Sequence, residues 1–172
     1  MLIGVPKEIK NHEYRVGLVP SSVREFVAHG HDVLVETQAG GGVGFTDADY
    51  EAAGASIAAT AEDVFARAEM IVKVKEPQAV ERKMLQPGQI LYTYLHLAPD
   101  PEQTADLVDS GAVCIAYETV TDRLGRLPLL APMSEVAGRM SIQVGAACLQ
   151  KSEGGRGVLL GGVPGVPPSD VV

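Results

Sequence analysis

The stretch QILYTYLHLAPDPEQTADLVDSGAVCIAY, residues 89–117, decides the fold. Gln89–Leu95 is a short run of aliphatic, aromatic and β-branched residues, the composition of a strand. Asp100-Pro101 then opens a helix, with Asp as the cap and Pro at the first helical position, where a missing N–H costs no hydrogen bond. Gly111 ends that helix, and Ala112–Tyr117 (AVCIAY) reads as a second strand. Two strands joined by a helical crossover are the unit of a parallel sheet. Working toward the N-terminus, Met70–Lys75 (MIVKVK), Asp32–Glu36 (DVLVE) and Leu2–Val5 are further strands, the last one stopped by Pro6. Ser22 followed by Glu25 has the spacing of a capping box, predicting a helix that runs through Val23, Phe26 and Val27 to Gly30. The alternation predicts an α/β fold built on a doubly wound, mainly parallel sheet. No sequence repeat and no low-complexity tract interrupts it.

Beyond residue 132 the chain changes character, so residues 1–132 are expected to form one domain and residues 133–172 a helix followed by a connector. Val136, Met140, Val144 and Cys148 recur every four residues, which aligns them on one helix face. The tail GGRGVLLGGVPGVPPSDVV is too rich in glycine and proline to hold a helix. Val171-Val172 has the character of the start of another strand.

The 172 residues carry 14 Lys plus Arg against 22 Asp plus Glu, a formal charge of −8. An acidic chain without a basic cluster repels phosphate backbones, so nucleic acid is excluded as a partner. Cys114 and Cys148 both sit in apolar surroundings and are expected as small core residues, and no metal-ligand spacing exists. The N-terminus lacks the pattern of a signal peptide and no apolar stretch is long enough to span a bilayer, which predicts a soluble, cytoplasmic protein.

In parallel α/β sheets ligands bind outside the carboxyl ends of the strands. Three polar residues end predicted strands: Lys75, His96 and Glu118, while Arg15 lies in the segment after the first strand. Two cations and an imidazole at one rim suit a small carboxylate, since Arg offers a planar fork and Lys a point charge. His96 reads either as a strand-end histidine bonded to a carbonyl or as a general acid/base that titrates near neutral pH. Lys73 and Lys75 alternate with valines, and periodicity alone does not choose between them. From composition alone Arg15 reads more readily as a surface residue, and His12, His29 and His31 read as surface residues. Ser134 precedes the long helix, where it reads as a cap, as a contact to a bound anion, or as both. The cluster Gln38-Ala39-Gly40-Gly41-Gly42-Val43-Gly44 lacks the glycine spacing of a dinucleotide-binding turn, and the prolines of Gly161–Pro168 rule out a phosphate loop there.

Taken in order, IGVPKEIKNHEYRVGLVP, IVKVKEP, YLHLAPD, AYETV, LPLLAPMSEVAGRMSIQVGA and GGRGVLLGGVPGVPP resemble the N-terminal portion of the alanine dehydrogenase family over essentially the whole chain. The resemblance implies a Rossmann-like substrate domain from an NAD-dependent enzyme that interconverts L-alanine with pyruvate and ammonium, cytoplasmic and homohexameric. It implies that His96 is the catalytic acid/base, that Arg15 and Lys75 bind substrate, and that Ser134 contacts the cofactor NAD, with Tyr94 and Met133 lining the site. In that family GGVPGVPP leads into an NAD-binding domain that also supplies a catalytic aspartate. The chain is therefore expected to hold the substrate side of the site and to show no NAD-linked turnover alone. Two other readings compete: the soluble subunit of nicotinamide nucleotide transhydrogenase, which needs no substrate acid/base, and a non-catalytic module binding a small amino or 2-oxo acid. The histidine of YLHLAPD favours the dehydrogenase.

Overall fold

A computed structural model describes residues 1–170, so the strand expected at Val171-Val172 lies outside the described residues. The chain divides into two compact units, Met1–Val120 and the segment from Thr121 onward. In the first, six parallel strands form one sheet: β1 (Leu2–Val5), β2 (Asp32–Glu36), β3 (Ser56–Ala58), β4 (Met70–Val72), β5 (Ile90–Thr93) and β6 (Val113–Ala116). Their order is β3-β2-β1-β4-β5-β6. The chain winds outward from β1 in one direction, then returns to β4 and winds in the other, as a doubly wound sheet does. The predicted fold class is thus the observed one, with every pair parallel.

Between the strands lie α1 (Pro20–Ala28), α2 (Asp47–Ala52), α3 (Ala61–Arg67), the single-turn α4 (Ala79–Arg82) and α5 (Pro101–Ser110). Apolar residues line both faces of the sheet. One core cluster joins Ile3, Val5, Val33 and Val35 to Val23 of α1 and Tyr50 of α2; the other joins Leu34, Ile71 and Leu91 to Val64 and Phe65 of α3 and Leu107 of α5. The Tyr50 hydroxyl donates to the Leu18 carbonyl at 2.8 Å, which satisfies the one polar atom of an otherwise buried ring.

Local signals hold at some helix ends and yield at others. Asp100 caps α5 by accepting from the Gln103 amide, and Gly111 closes it in the left-handed conformation. Helix α1 differs from expectation: Pro20 occupies its first turn, Val19 is the N-cap, and Ser22 lies inside the helix, so the Ser22–Glu25 capping box does not form. Its C-terminus behaves as read, because Gly30 at φ 79° lets the His31 amide reach Phe26 O and its own amide reach Val27 O. Helices α2, α3 and α4 and strand β3 are too short to produce a clear period. Capping is nevertheless present in α2 and α3, where Thr46 and Thr60 accept from Asp49 and Asp63.

The second unit holds α6 (Ala131–Cys148) and a glycine-rich segment with one isolated bridge, Val163 to Val166. The four-residue spacing does mark a helix, yet Val136, Met140 and Val144 are all exposed. Two expectations fail here. Ser134 is not a cap: α6 begins at Ala131, its N-cap is Leu130, and the Ser134 amide is bonded to Leu130 O within the first turn. Pro132 in that turn starts the helix without a side-chain cap. Cys148 is exposed, not a core residue, whereas Cys114 packs against the second core cluster.

Candidate active site

The strand register brings the carboxyl ends of β1, β4, β5 and β6 to one rim, beside the reversal in strand order between β1 and β4. That reversal leaves a crevice in such sheets, because the connections on either side run away from it. The segment after β1 carries Arg15, the segment after β4 carries Lys75, and the segment after β5 carries Tyr94 and His96. All four belong to the first unit.

Strand β4 is shorter than predicted, ending at Val72, but its pairing with β5 continues beyond the regular strand. The Lys73 amide donates to Tyr92 O and the Tyr94 amide to Val74 O, at 3.1 and 3.3 Å. The Thr93 hydroxyl adds a bond to Lys75 O at 2.9 Å. Lys75 therefore sits on a tied backbone three residues past the strand.

Burial separates the two lysines that alternation could not. Lys73 is 1% exposed and its ammonium lies between two buried carboxylates, Glu81 at 2.7 Å and Glu8 at 3.1 Å. Its charge is consumed inside the protein. Lys75 is only partly buried. Glu8 also accepts from the Val74 and Lys75 amides, at 2.6 and 3.3 Å, so one carboxylate ties the loop after β1 to the end of β4. Neither Glu8 nor Glu81 carries a sequence signal of burial, because an acidic residue in a polar context looks like surface.

Arg15 is held by its neighbour. Glu13 accepts from Nε at 2.8 Å and from Nη2 at 2.6 Å, a two-bond fork that fixes the guanidinium plane. The guanidinium is the main influence on Glu13, holding its carboxyl below the usual value against burial, and Lys75 adds to the same pull. Arg15 in turn is raised by Glu13, with smaller contributions from Tyr94 and Glu8. Glu13 thus feels both Arg15 and Lys75, and Arg15 in turn feels Tyr94.

The loop carrying Arg15 rests on a glycine. A Cβ on Gly42 would collide with the carbonyl oxygen of Tyr14, a backbone atom that cannot swing away. This glycine cluster, which lacks the spacing of a dinucleotide-binding turn, thus has a packing role against the Tyr14 backbone. Gly42→Ala should destabilise the fold by about 1–3 kcal/mol and displace the Tyr14–Arg15 backbone. Urea unfolding and the crystal structure of the variant check both parts, and an unmoved Arg15 refutes the second.

His96 is exposed, and its backbone is left-handed, with φ 50°. Its ring is nearly parallel to that of Tyr94, with centroids 6.1 Å apart and planes at 14°. Tyr94 stands edge-on to Tyr117, which is edge-on to Tyr92, so the stack is buttressed from the sheet. Burial raises the hydroxyls of Tyr92, Tyr94 and Tyr117 above the usual phenol value, so at neutral pH they are protonated donors. Ser134 and Met133 lie in the second unit, where the Ser134 side chain is exposed and Met133 is half-buried.

Residues 4–137 match the family model for the alanine dehydrogenase/PNT N-terminal domain. The chain belongs to that family. It is 61% identical to the alanine dehydrogenase of Halomonas elongata over 99% of its own length, and 55% identical to that of Mycobacterium tuberculosis over all of it. It spans just under half the length of these relatives, 46% in each case. A solved L-alanine dehydrogenase superposes on 98% of the chain with a TM-score of 0.85 at 58% identity. A transhydrogenase from Sinorhizobium meliloti superposes on 72% of it, with a TM-score of 0.67 at 30% identity. Within this alanine dehydrogenase/PNT family the chain is therefore far more similar to the dehydrogenases than to that transhydrogenase.

No helix among the described residues is long and apolar enough to cross a membrane. Among them, too, no group of three or more His, Cys, Asp or Glu is arranged to hold a metal ion.

Proposed function

We propose that this chain forms the substrate-holding half of an alanine dehydrogenase, catalysing NAD-dependent, reversible oxidative deamination of L-alanine to pyruvate and ammonium. The observation that carries the reading is the gathering of Arg15, Lys75, Tyr94 and His96 at the carboxyl rim of one parallel sheet, in a chain 55–61% identical to alanine dehydrogenases. With residues 133–172 we assign the link to the NAD-binding portion of such an enzyme. The reading carries with it a cytoplasmic homo-oligomer.

The residues fit the chemistry. Arg15 and Lys75 supply the positive charge that a small carboxylate needs, and their tied backbones spare the ordering cost of binding. Glu13 already takes two of the Arg15 donors, so the substrate carboxylate meets a guanidinium that is oriented and partly neutralised, and Lys75 supplies the balance of charge. His96 accepts or returns the proton that moves at the substrate oxygen or nitrogen. The exposed Ser134 hydroxyl on the first turn of α6 fits a polar contact to the dinucleotide, and Met133 beside it fits an apolar one. Bound NAD would supply the hydride acceptor that oxidation of the alanine carbon requires. The glycine turn at residues 38–44 is used for packing and is not assigned to the cofactor.

The test is calorimetric binding of pyruvate to the chain. Arg15→Ala and Lys75→Met should each weaken binding about 10- to 100-fold, the worth of a charge-assisted hydrogen bond of about 1.5–3 kcal/mol. Unchanged affinity in both variants would remove the basis of the assignment.

A further inference from the structure

His96 stands on an unusual piece of backbone. A left-handed residue other than glycine is uncommon and costs on the order of 1–2 kcal/mol unless its surroundings hold it. Parallel pairing of β5 with β6 sets Thr93 opposite Ala116, so two residues further on Leu95 comes opposite Glu118. There the chain after β6 turns through a short 3-10 segment, Tyr117–Thr119, which aims the Glu118 side chain back across the gap. Its carboxylate accepts from two successive amides: His96 N to Oε1 at 2.7 Å, and Leu95 N to Oε1 at 3.1 Å and Oε2 at 3.3 Å. Successive amides turned to one side form a concave nest that binds an anion, and here the anion is a side chain of the same unit. On the other side of Leu95, the buried Gln103 of α5 donates through Nε2 to Leu95 O at 2.6 Å. Burial pushes the Glu118 carboxyl up, but the amides of His96, Leu95 and Glu118 itself outweigh it and hold the group below the usual value. It is an anion throughout the neutral range.

We propose that Glu118 is a positioning residue for His96, gripping the Leu95 and His96 amides so that the imidazole is presented at the rim in a left-handed backbone turn. This rests on the acid/base role given to His96 above. Glu118 acts through geometry: what it supplies is an acceptor oxygen at the correct reach. Arg15 and Lys75 are held by other contacts, to Glu13 and Glu8, so substrate binding does not depend on it.

The distinction between reach and charge makes the idea testable. Glu118→Gln keeps an Oε1 that can accept from both amides and removes the charge; Glu118→Asp keeps the charge and loses one methylene of reach. Each is introduced into a full-length fusion in which this chain replaces the matching half of an alanine dehydrogenase relative. The expected result is that E118D lowers kcat about 10- to 100-fold, as misplacement of a reacting group does, with KM for pyruvate little changed. E118Q should recover most of that loss. The reverse order, with E118D active and E118Q impaired, overturns the proposal, as does wild-type kcat in both variants. His96→Asn is run alongside: if it leaves kcat intact, the acid/base reading has failed, whereas a crippled H96N beside an active E118D condemns only the role given to Glu118.

Discussion

Replacing Lys73 with methionine should destabilise the chain by about 3–5 kcal/mol, a large share of the about 5–15 kcal/mol available to a typical domain. The substitution removes little volume but strips the Lys73 ammonium from between Glu8 and Glu81, two carboxylates at 8% and 1% exposure. Burying a charge is tolerated when it is paired and becomes expensive when its partner is removed. The pH dependence identifies the cause. Burial raises the Glu81 carboxyl above its ordinary value of 4.5, and Lys73 is the chief influence pulling it back. Without Lys73 the folded-state value rises further. A carboxyl raised in the folded state contributes stability that is complete below its unfolded value and lost as pH rises through the folded one. The deficit of K73M should therefore be greatest at neutral pH and shrink as pH falls toward 4.5. Adding Glu81→Gln should recover part of it at pH 7. Urea unfolding between pH 4.5 and 8 measures all of this; a deficit independent of pH would mean that lost packing, not stranded charge, is responsible.

His96→Asn should lower kcat of the full-length fusion about 100- to 10,000-fold, the usual worth of a positioned acid/base. Asparagine is the informative replacement. It tolerates the left-handed backbone that His96 adopts, whereas alanine would add strain and blur a chemical effect with a structural one. Pyruvate affinity of the chain and its unfolding midpoint should both stay close to the parent values, since Arg15, Lys75 and the Glu118 grip remain. A fall in affinity matching the fall in kcat would instead make His96 a binding residue.

Much of this was legible in the sequence because it depends on local chemistry. Asp100-Pro101 and Gly111 bracket a helix whatever surrounds it, since a capping carboxylate, a preset φ and a left-handed glycine act within a few residues. Alternating strands and helices then allow few topologies, and the carboxyl-end rule turns that topology into a list of rim positions: Lys75, His96 and Glu118. The segment after the first strand added Arg15, the start of the long helix added Ser134, and the family motifs added Tyr94 and Met133. Local signals misled where two of them competed. Ser22 has the right partner at the right spacing, but Pro20 starts α1 two residues earlier; Ser134 looks like a cap, but Pro132 draws α6 back to Ala131.

What only the tertiary structure decided is where each charge spends itself. Lys73 and Lys75 are equivalent in a pattern of alternating valines, and they diverge because Glu8 and Glu81, 65 and 8 residues away in sequence, converge on one of them. Gly42 has no local signal of its role, which is set by the Tyr14 carbonyl packed against it. Glu118 could be placed at a strand end from the sequence, but its grip on His96 depends on the register of β5 against β6. That register is a long-range property: it comes from side-chain packing between segments some twenty residues apart, and no local propensity encodes it. The sequence by itself determined a parallel α/β sheet with a cationic, histidine-bearing rim. The folded chain decided which of those groups are buried in ion pairs that hold it together and which stand at the rim.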